Sequence, residues 1–136
     1  MRPLLPAILV AFMAPACASA PAPVAGTTTV EVTAAYRERI LLPPGHVLIV
    51  RIEDVSLADA PATTLAEMRV ALDGRAPPYP VTFSIPAGAI DPRHDYAARA
   101  EIRDATGALR FTTDTRHSVL TRGAGLRADI VMVGVG

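Results

Sequence analysis

The chain has 136 residues, a formal net charge of zero, 13 acidic side chains and 13 Lys-or-Arg positions, and one cysteine. Both signs are interspersed along the sequence, which argues against the basic stripe of a nucleic-acid binder and against a polybasic membrane surface. A single cysteine excludes an internal disulfide, and because every Lys-or-Arg position is arginine there is no lysine for catalysis.

The first element is an N-terminal targeting pattern. Met1-Arg2 supplies a positive charge, Leu4 to Met13 is almost wholly apolar, and Ala14-Pro15-Ala16 gives the small residues of a cleavage site. A membrane span needs roughly 20 apolar residues. This run is about half that, with Pro3, Pro6 and Pro15 around it, so residues 1–16 read as a secretory signal peptide. Cys17 follows directly, and its position points to lipid attachment rather than to redox or metal chemistry. Residues 17–26 are Ala/Pro-rich, too small to pack, and read as an extended tether. The remainder, residues 27–136, is the size of one domain and can bury a core without a disulfide or a metal.

Within that domain, period-two alternation recurs and helical spacing almost never does. In TVEVTA, Val30, Val32 and Ala34 share one face. In HVLIVRIED, Leu48, Val50 and Ile52 lie opposite Arg51 and Glu53. TLAEMRVAL places Ala66, Met68 and Val70 together; Leu65, Met68 and Leu72 also fit a short helix, but the strand pattern is the fuller one. VTFSI turns Val81, Phe83 and Ile85 inward, and Pro80 marks that strand as an edge, since proline cannot donate to a ladder. DYAARAEIR sets Tyr96, Ala98, Ala100 and Ile102 against Arg99, Glu101 and Arg103. Leu109 with Phe111, a short HSVLT segment, and Leu126, Ala128, Ile130 and Met132 complete the series. Turn residues separate the runs: Leu42-Pro43-Pro44-Gly45, Asp73 to Pro78, Pro86-Ala87-Gly88, Asp91-Pro92, Asp104 to Gly107, and Arg122 to Gly125. The expected fold is all-β, a single antiparallel immunoglobulin-like sandwich of about 7–8 strands.

Few residues offer chemistry. The string Asp54-Val55-Ser56-Leu57-Ala58-Asp59-Ala60-Pro61 leaves a strand with short polar side chains that bond their own turn backbone. Asp54, Ser56 and Asp59 are therefore expected to form a structural loop; a cation site there lacks the glycine and distal glutamate of a calcium loop. Tyr96, after Asp91-Pro92-Arg93-His94-Asp95, is placed to send its hydroxyl back to backbone upstream, as in a tyrosine corner. His46, His94 and His117 show no converging ligand spacing, so no metal or other cofactor is expected. None of Ser56, Ser84 and Ser118 sits in a nucleophile elbow, and no catalytic residue is assigned.

Several strings together resemble the YbaY family of small bacterial envelope lipoproteins, which is grouped with YscW-type pilot chaperones of type III secretion. They are Tyr36-Arg37-Glu38-Arg39-Ile40-Leu41-Leu42-Pro43-Pro44, then Val50 to Pro61, then Pro80-Val81-Thr82-Phe83-Ser84-Ile85, Ile90-Asp91-Pro92 before Tyr96, and Val119-Leu120-Thr121. The resemblance implies a compact β-sandwich in a Gram-negative envelope, periplasmic or anchored to the outer membrane through a lipid on Cys17. It also implies, for the pilot branch, binding and delivery of an outer-membrane secretin subunit. The departure lies at Ala14 and Pro15, where lipoprotein signals carry a leucine and a small non-proline residue.

Three functions follow as expectations. The first is a non-enzymatic envelope module that binds or chaperones a protein partner, with the Pro80 strand as one edge open to strand addition. The second is a periplasmic metal- or small-molecule-dependent enzyme or binding protein using His94, His117 and nearby aspartates. The third is a structural envelope protein.

Overall fold

The computed structural model of the chain describes residues 26–136. The signal-peptide and tether expectations, Cys17 included, fall on residues 1–25 and lie outside the described residues, apart from Gly26 at the tether's end. Eight strands carry the fold: β1 (Thr27–Tyr36), β2 (Val47–Asp54), β3 (Thr63–Ala71), β4 (Tyr79–Pro86), β5 (Tyr96–Arg103), β6 (Leu109–Thr112), β7 (His117–Val119) and β8 (Arg127–Gly134). A single 3₁₀ turn, Ala87–Ala89, follows β4, and the described residues contain no α-helix.

The alternation places the core where the sequence puts it. Val30, Val32 and Ala34 of β1, Leu48, Val50 and Ile52 of β2, and Ala98, Ala100 and Ile102 of β5 are buried together. Val81, Phe83 and Ile85 of β4 and Ala128, Ile130 and Met132 of β8 complete the interior. Each large side chain among them contributes about 1.5–3 kcal/mol by leaving water. Between β1 and β2 the chain reverses at Pro43-Pro44-Gly45. Gly45 has φ +103, a region closed to most side chains, and an added Cβ would sit 3.1 Å from the Ala105 side chain.

The pairing departs from a sandwich. The strands form one path, β3-β2-β5-β6-β8-β1-β4, with β7 also paired to β5. The joint is β8. Arg127 to Met132 pair with β1, and Val133 and Gly134 pair with β6, so what would be two sheets is one nearly closed, barrel-like sheet. The β1–β8 pairing is parallel, and every other pairing is antiparallel. Alternation specifies the buried face of a strand and says nothing of its neighbour, which is why the immunoglobulin-like arrangement does not follow from it.

The path ends at β3 and β4, and these ends differ. Next to the Thr27–Pro86 pair, the Ala87 N–H donates to Gly26 O at 2.9 Å. That phase turns the odd-numbered backbone groups of β4 toward β1 and the even-numbered ones outward. Pro80 and Pro86 are both even-numbered, so two of the outward positions have no N–H to offer. In β3, Met68 is 40% exposed, against the inward expectation, and Ala66 and Val70 are only half-buried. A strand with one hydrogen-bonded neighbour has one flank of its inner face uncovered. Leu126, also expected inside, is 47% exposed because it precedes β8 rather than lying in it.

Candidate functional site

Polar groups converge at one end of the strands, where the loops after β2, before β5 and after β7 meet. Asp54 closes β2. Its Oδ1 accepts hydrogen bonds from the Ser56 hydroxyl and, at 3.0 Å, from the Ser56 N–H. This is the local turn that short polar side chains favour. Ser56 Oγ also accepts from the Asp95 N–H at 2.9 Å, and the Val55 N–H donates to Asp95 O at 2.8 Å. Two residues of one loop thus fix the backbone of another nearly forty positions away.

His94 adds a longer reach. Its Nδ1 donates to Asp54 Oδ2 at 2.7 Å, and its Nε2 lies 3.6 Å from Asp91 Oδ2. The Tyr96 hydroxyl accepts from the Asp91 N–H at 2.9 Å. From the third loop, the Thr121 hydroxyl donates to His94 O, Arg122 donates to Arg93 O at 2.7 Å, and Arg122 Nε lies 3.3 Å from Asp95 Oδ1. Leu120 and Arg122 hold left-handed backbone, at φ 73 and 58. Such conformations persist in bulky residues only where the surroundings enforce them.

The electrostatics follow from these contacts. The Arg93 guanidinium beside Asp91 holds its carboxyl down at about 2. The Ser56 hydroxyl, with His94 adding to it, holds the Asp54 carboxyl below the ordinary range. Both carboxylates are therefore ionised throughout the neutral range, and Asp54 acts only as an acceptor.

The arrangement does not make a nucleophile of Ser56. In a hydrolytic triad the serine gives its proton to a histidine, which a carboxylate orients. Here the serine hydroxyl and the imidazole both donate to the same carboxylate, and the serine lone pair is taken up by the Asp95 amide. His117 lies on β7 opposite Ala98, and His46 Nδ1 contacts Pro43 O at 2.8 Å at the other end of β2. Among the described residues no three His, Cys, Asp or Glu side chains are grouped to hold a metal ion. Asp59 is exposed in the loop tip and shares no hydrogen bond with Asp54 or Ser56.

Sequence reasoning singled out Asp54, Ser56, Asp59 and Tyr96, and His94 and His117 for the alternative function, and missed Thr121, Arg122 and the pairing of His94 with Asp54. The Asp-x-Ser spacing is a local signal. A contact spanning 40 positions has none in a single sequence.

A second polar feature runs across the outer face of β3, β2 and β5. Arg69 bonds Glu67 at 3.0 Å, Glu67 bonds Arg51 at 2.8 Å, Arg51 reaches Glu101 at 3.3 Å, and Glu101 bonds Arg103 at 3.1 Å. The signs alternate at every step. Arg51 and Arg69 hold the Glu67 carboxyl below its ordinary range.

Over residues 25–132, from the start of β1 into β8 and through every loop of the polar cluster, the chain matches the family described as type III secretion system lipoprotein chaperone (YscW). The chain belongs to the YscW family. A relative described as uncharacterized lipoprotein YbaY of Escherichia coli (strain K12) is 35% identical over 99 residues, which is 73% of this chain and 51% of that protein. The chain thus spans about half the length of that curated relative. Among solved structures, an alternative pilotin from the type II secretion system of Vibrio cholerae superposes with a TM-score of 0.76 at 36% identity. The match covers 81% of this chain and 98% of that one.

Proposed function

We propose that this chain is a non-enzymatic, exported envelope lipoprotein that binds a secretin-like outer-membrane subunit and assists its delivery, as a pilotin does. The observation that carries this reading is the similarity to a secretion-system pilotin over 98% of that chain. The polar cluster supports it from the chemical side: its serine, histidine and carboxylates are spent on one another across three loops. In this reading Asp54 and Ser56 clasp the loop before β5, and Tyr96 acts as the corner that sets where β5 begins. The anchor is a lipid on Cys17, and the place of action is the periplasmic side of a Gram-negative envelope.

The decisive experiment is deletion of the gene in its own host, with the amount and location of each secretin followed by membrane fractionation and immunoblotting. Loss of a secretin from the outer membrane, restored by the wild-type gene, is the expected result. Unchanged levels and location of every secretin would end the proposal. Anchoring has its own readout. Intact mass of the purified protein should carry diacylglycerol plus an acyl chain on Cys17, and Cys17→Ala should abolish it. A mature start beyond Cys17 would remove the anchor from the reading.

A further inference from the structure

We propose that the free edge of β3 pairs with the same edge of a second copy of this chain, forming an antiparallel two-fold interface centred on Met68. This does not rest on the secretin reading.

The backbone phase of β3 selects the residues involved. Next to the Val47–Ala71 pair, the Leu72 N–H donates to His46 O at 3.0 Å. In an antiparallel ladder that contact alternates strictly, so Val70, Met68 and Ala66 direct their N–H and C=O groups to β2. Ala71, Arg69 and Glu67 direct theirs away from it. β3 ends the strand path among the described residues, so these groups form an open row. Such a row is a template for another strand unless proline, a bulge or a like charge blunts it. The opposite end of the path is blunted by Pro80 and Pro86 in β4, whereas β3 contains no proline, and its bulge, at Leu65 between the Ile52–Ala66 and Glu53–Thr64 pairs, lies outside the Ala66–Ala71 stretch.

The identity of the occupant comes from charge. If a second β3 lies antiparallel with Met68 opposite Met68, then Glu67 of one copy faces Arg69 of the other, twice. Those are also the residues whose backbone groups point outward, so each Glu67–Arg69 pair exchanges two main-chain hydrogen bonds. A one-residue slip would lose both matches at once. Opposite charges directly across a ladder stabilise it, and like charges there oppose it. Arg69 is 63% exposed in its side chain and free to swing between the two Glu67 carboxylates. On the inner face the two Met68 side chains, each 40% exposed, would cover one another. An isologous contact requires this kind of self-complementarity.

The test is sedimentation and native mass spectrometry over a concentration series, on the full-length gene product carrying Cys17→Ala so that no acyl chain drives association. With β3 unaltered, this protein should dimerise. Glu67→Arg sets arginine against arginine at both charged pairs of the ladder, and Arg69→Glu sets glutamate against glutamate. Each reversal should weaken dimerisation about tenfold or more, as like charges across an interface do. Arg51 keeps Glu101 as a partner in Glu67→Arg, and thermal unfolding checks that both variants remain folded. The two variants mixed in equal amounts should associate with each other, because each arginine then meets a glutamate. A monomer at every concentration overturns the proposal. So does a dimer indifferent to both reversals, or a mixture that fails to associate while both variants are folded. Protection of a monomer's β3 amides by a strand of another protein would likewise replace the second copy as occupant.

Discussion

The two ends of the strand barrel are closed by different physics. At one end, Tyr36 stacks on Phe111 with ring centroids 4.7 Å apart and lies 6.4 Å from Tyr79. The tyrosine hydroxyls donate to local carbonyls, Tyr36 to Ile40 O and Tyr79 to Arg75 O. At the other end the closure is the polar cluster of Asp54, Ser56, Asp91, His94, Asp95 and Arg122. The aromatic end relies on area removed from water and on neutral hydrogen bonds. The polar end relies on charge-assisted bonds between loops. The difference teaches that the same sheet has one end sensitive to packing and alkali and another sensitive to acid.

The largest effect is expected from breaking the aromatic end. Phe111→Ala should cost about 3–5 kcal/mol in urea unfolding at neutral pH. A loss below about 1 kcal/mol would mean that the ring stack does not support the fold. Acid should sharpen the contrast by removing the carboxylate bonds of the polar end together. Asp91 and Asp54 have folded pKa values held below their unfolded ones. Their contribution is thus fully present above the ordinary carboxylate pKa of about 4 and declines as pH falls through their lowered folded values, about 2 for Asp91. In hydrogen exchange, the Ser56 and Arg93 amides, which donate to Asp54 and Asp91, should lose protection in that window before amides of β1 and β4 near Tyr36 and Tyr79. The sign is opposite at the aromatic end. Burial, with Tyr36 nearby, pushes the Tyr79 hydroxyl well above its ordinary value, so stability there falls only once pH exceeds about 10.

Single substitutions at the polar end should cost less. Asp54→Ala strips the acceptor from Ser56 and His94, and about 1–2 kcal/mol is expected from thermal unfolding at neutral pH, shrinking as acid protonates the Asp54 carboxylate. Pairing it with His94→Gln in a double-mutant cycle should give a non-additive result, because the two share one bond. Smallest of the four is Tyr96→Phe. It removes an acceptor from the Asp91 amide and should cost about 1 kcal/mol, leaving the ring packing intact. An equal cost at neutral and at acid pH would separate that neutral bond from its ionised neighbours.

The sequence made the buried faces legible and left the neighbours illegible. Tyr96, Ala98, Ala100 and Ile102 announce β5 because every second side chain faces one interior. Ile49 is 2% exposed although it sits on the outer face of β2, between Arg69 and Glu101 on the flanking strands. Alternation alone would have left it in water. Met68 errs in the opposite sense, since its exposure depends on β3 being last in the path. In the polar cluster, the Asp54–Ser56 turn is written locally, whereas His94, Thr121 and Arg122 arrive from other loops through pairings that only the folded sheet defines.

The parallel pairing of β1 with β8 carries a consequence of timing. Glu31 and Arg127 form an ion pair across 96 positions, and the first strand of the domain has the last as its neighbour. Contacts between distant parts of a chain form slowly, because loop closure must precede their reward. A ribosome releases β1 long before β8, so β1 spends synthesis with one flank unmatched, and the sheet is completed only when β8 has emerged. A sheet arranged in this way cannot close until β8 emerges. On the exported reading, the barrel then closes on the far side of the membrane it has crossed.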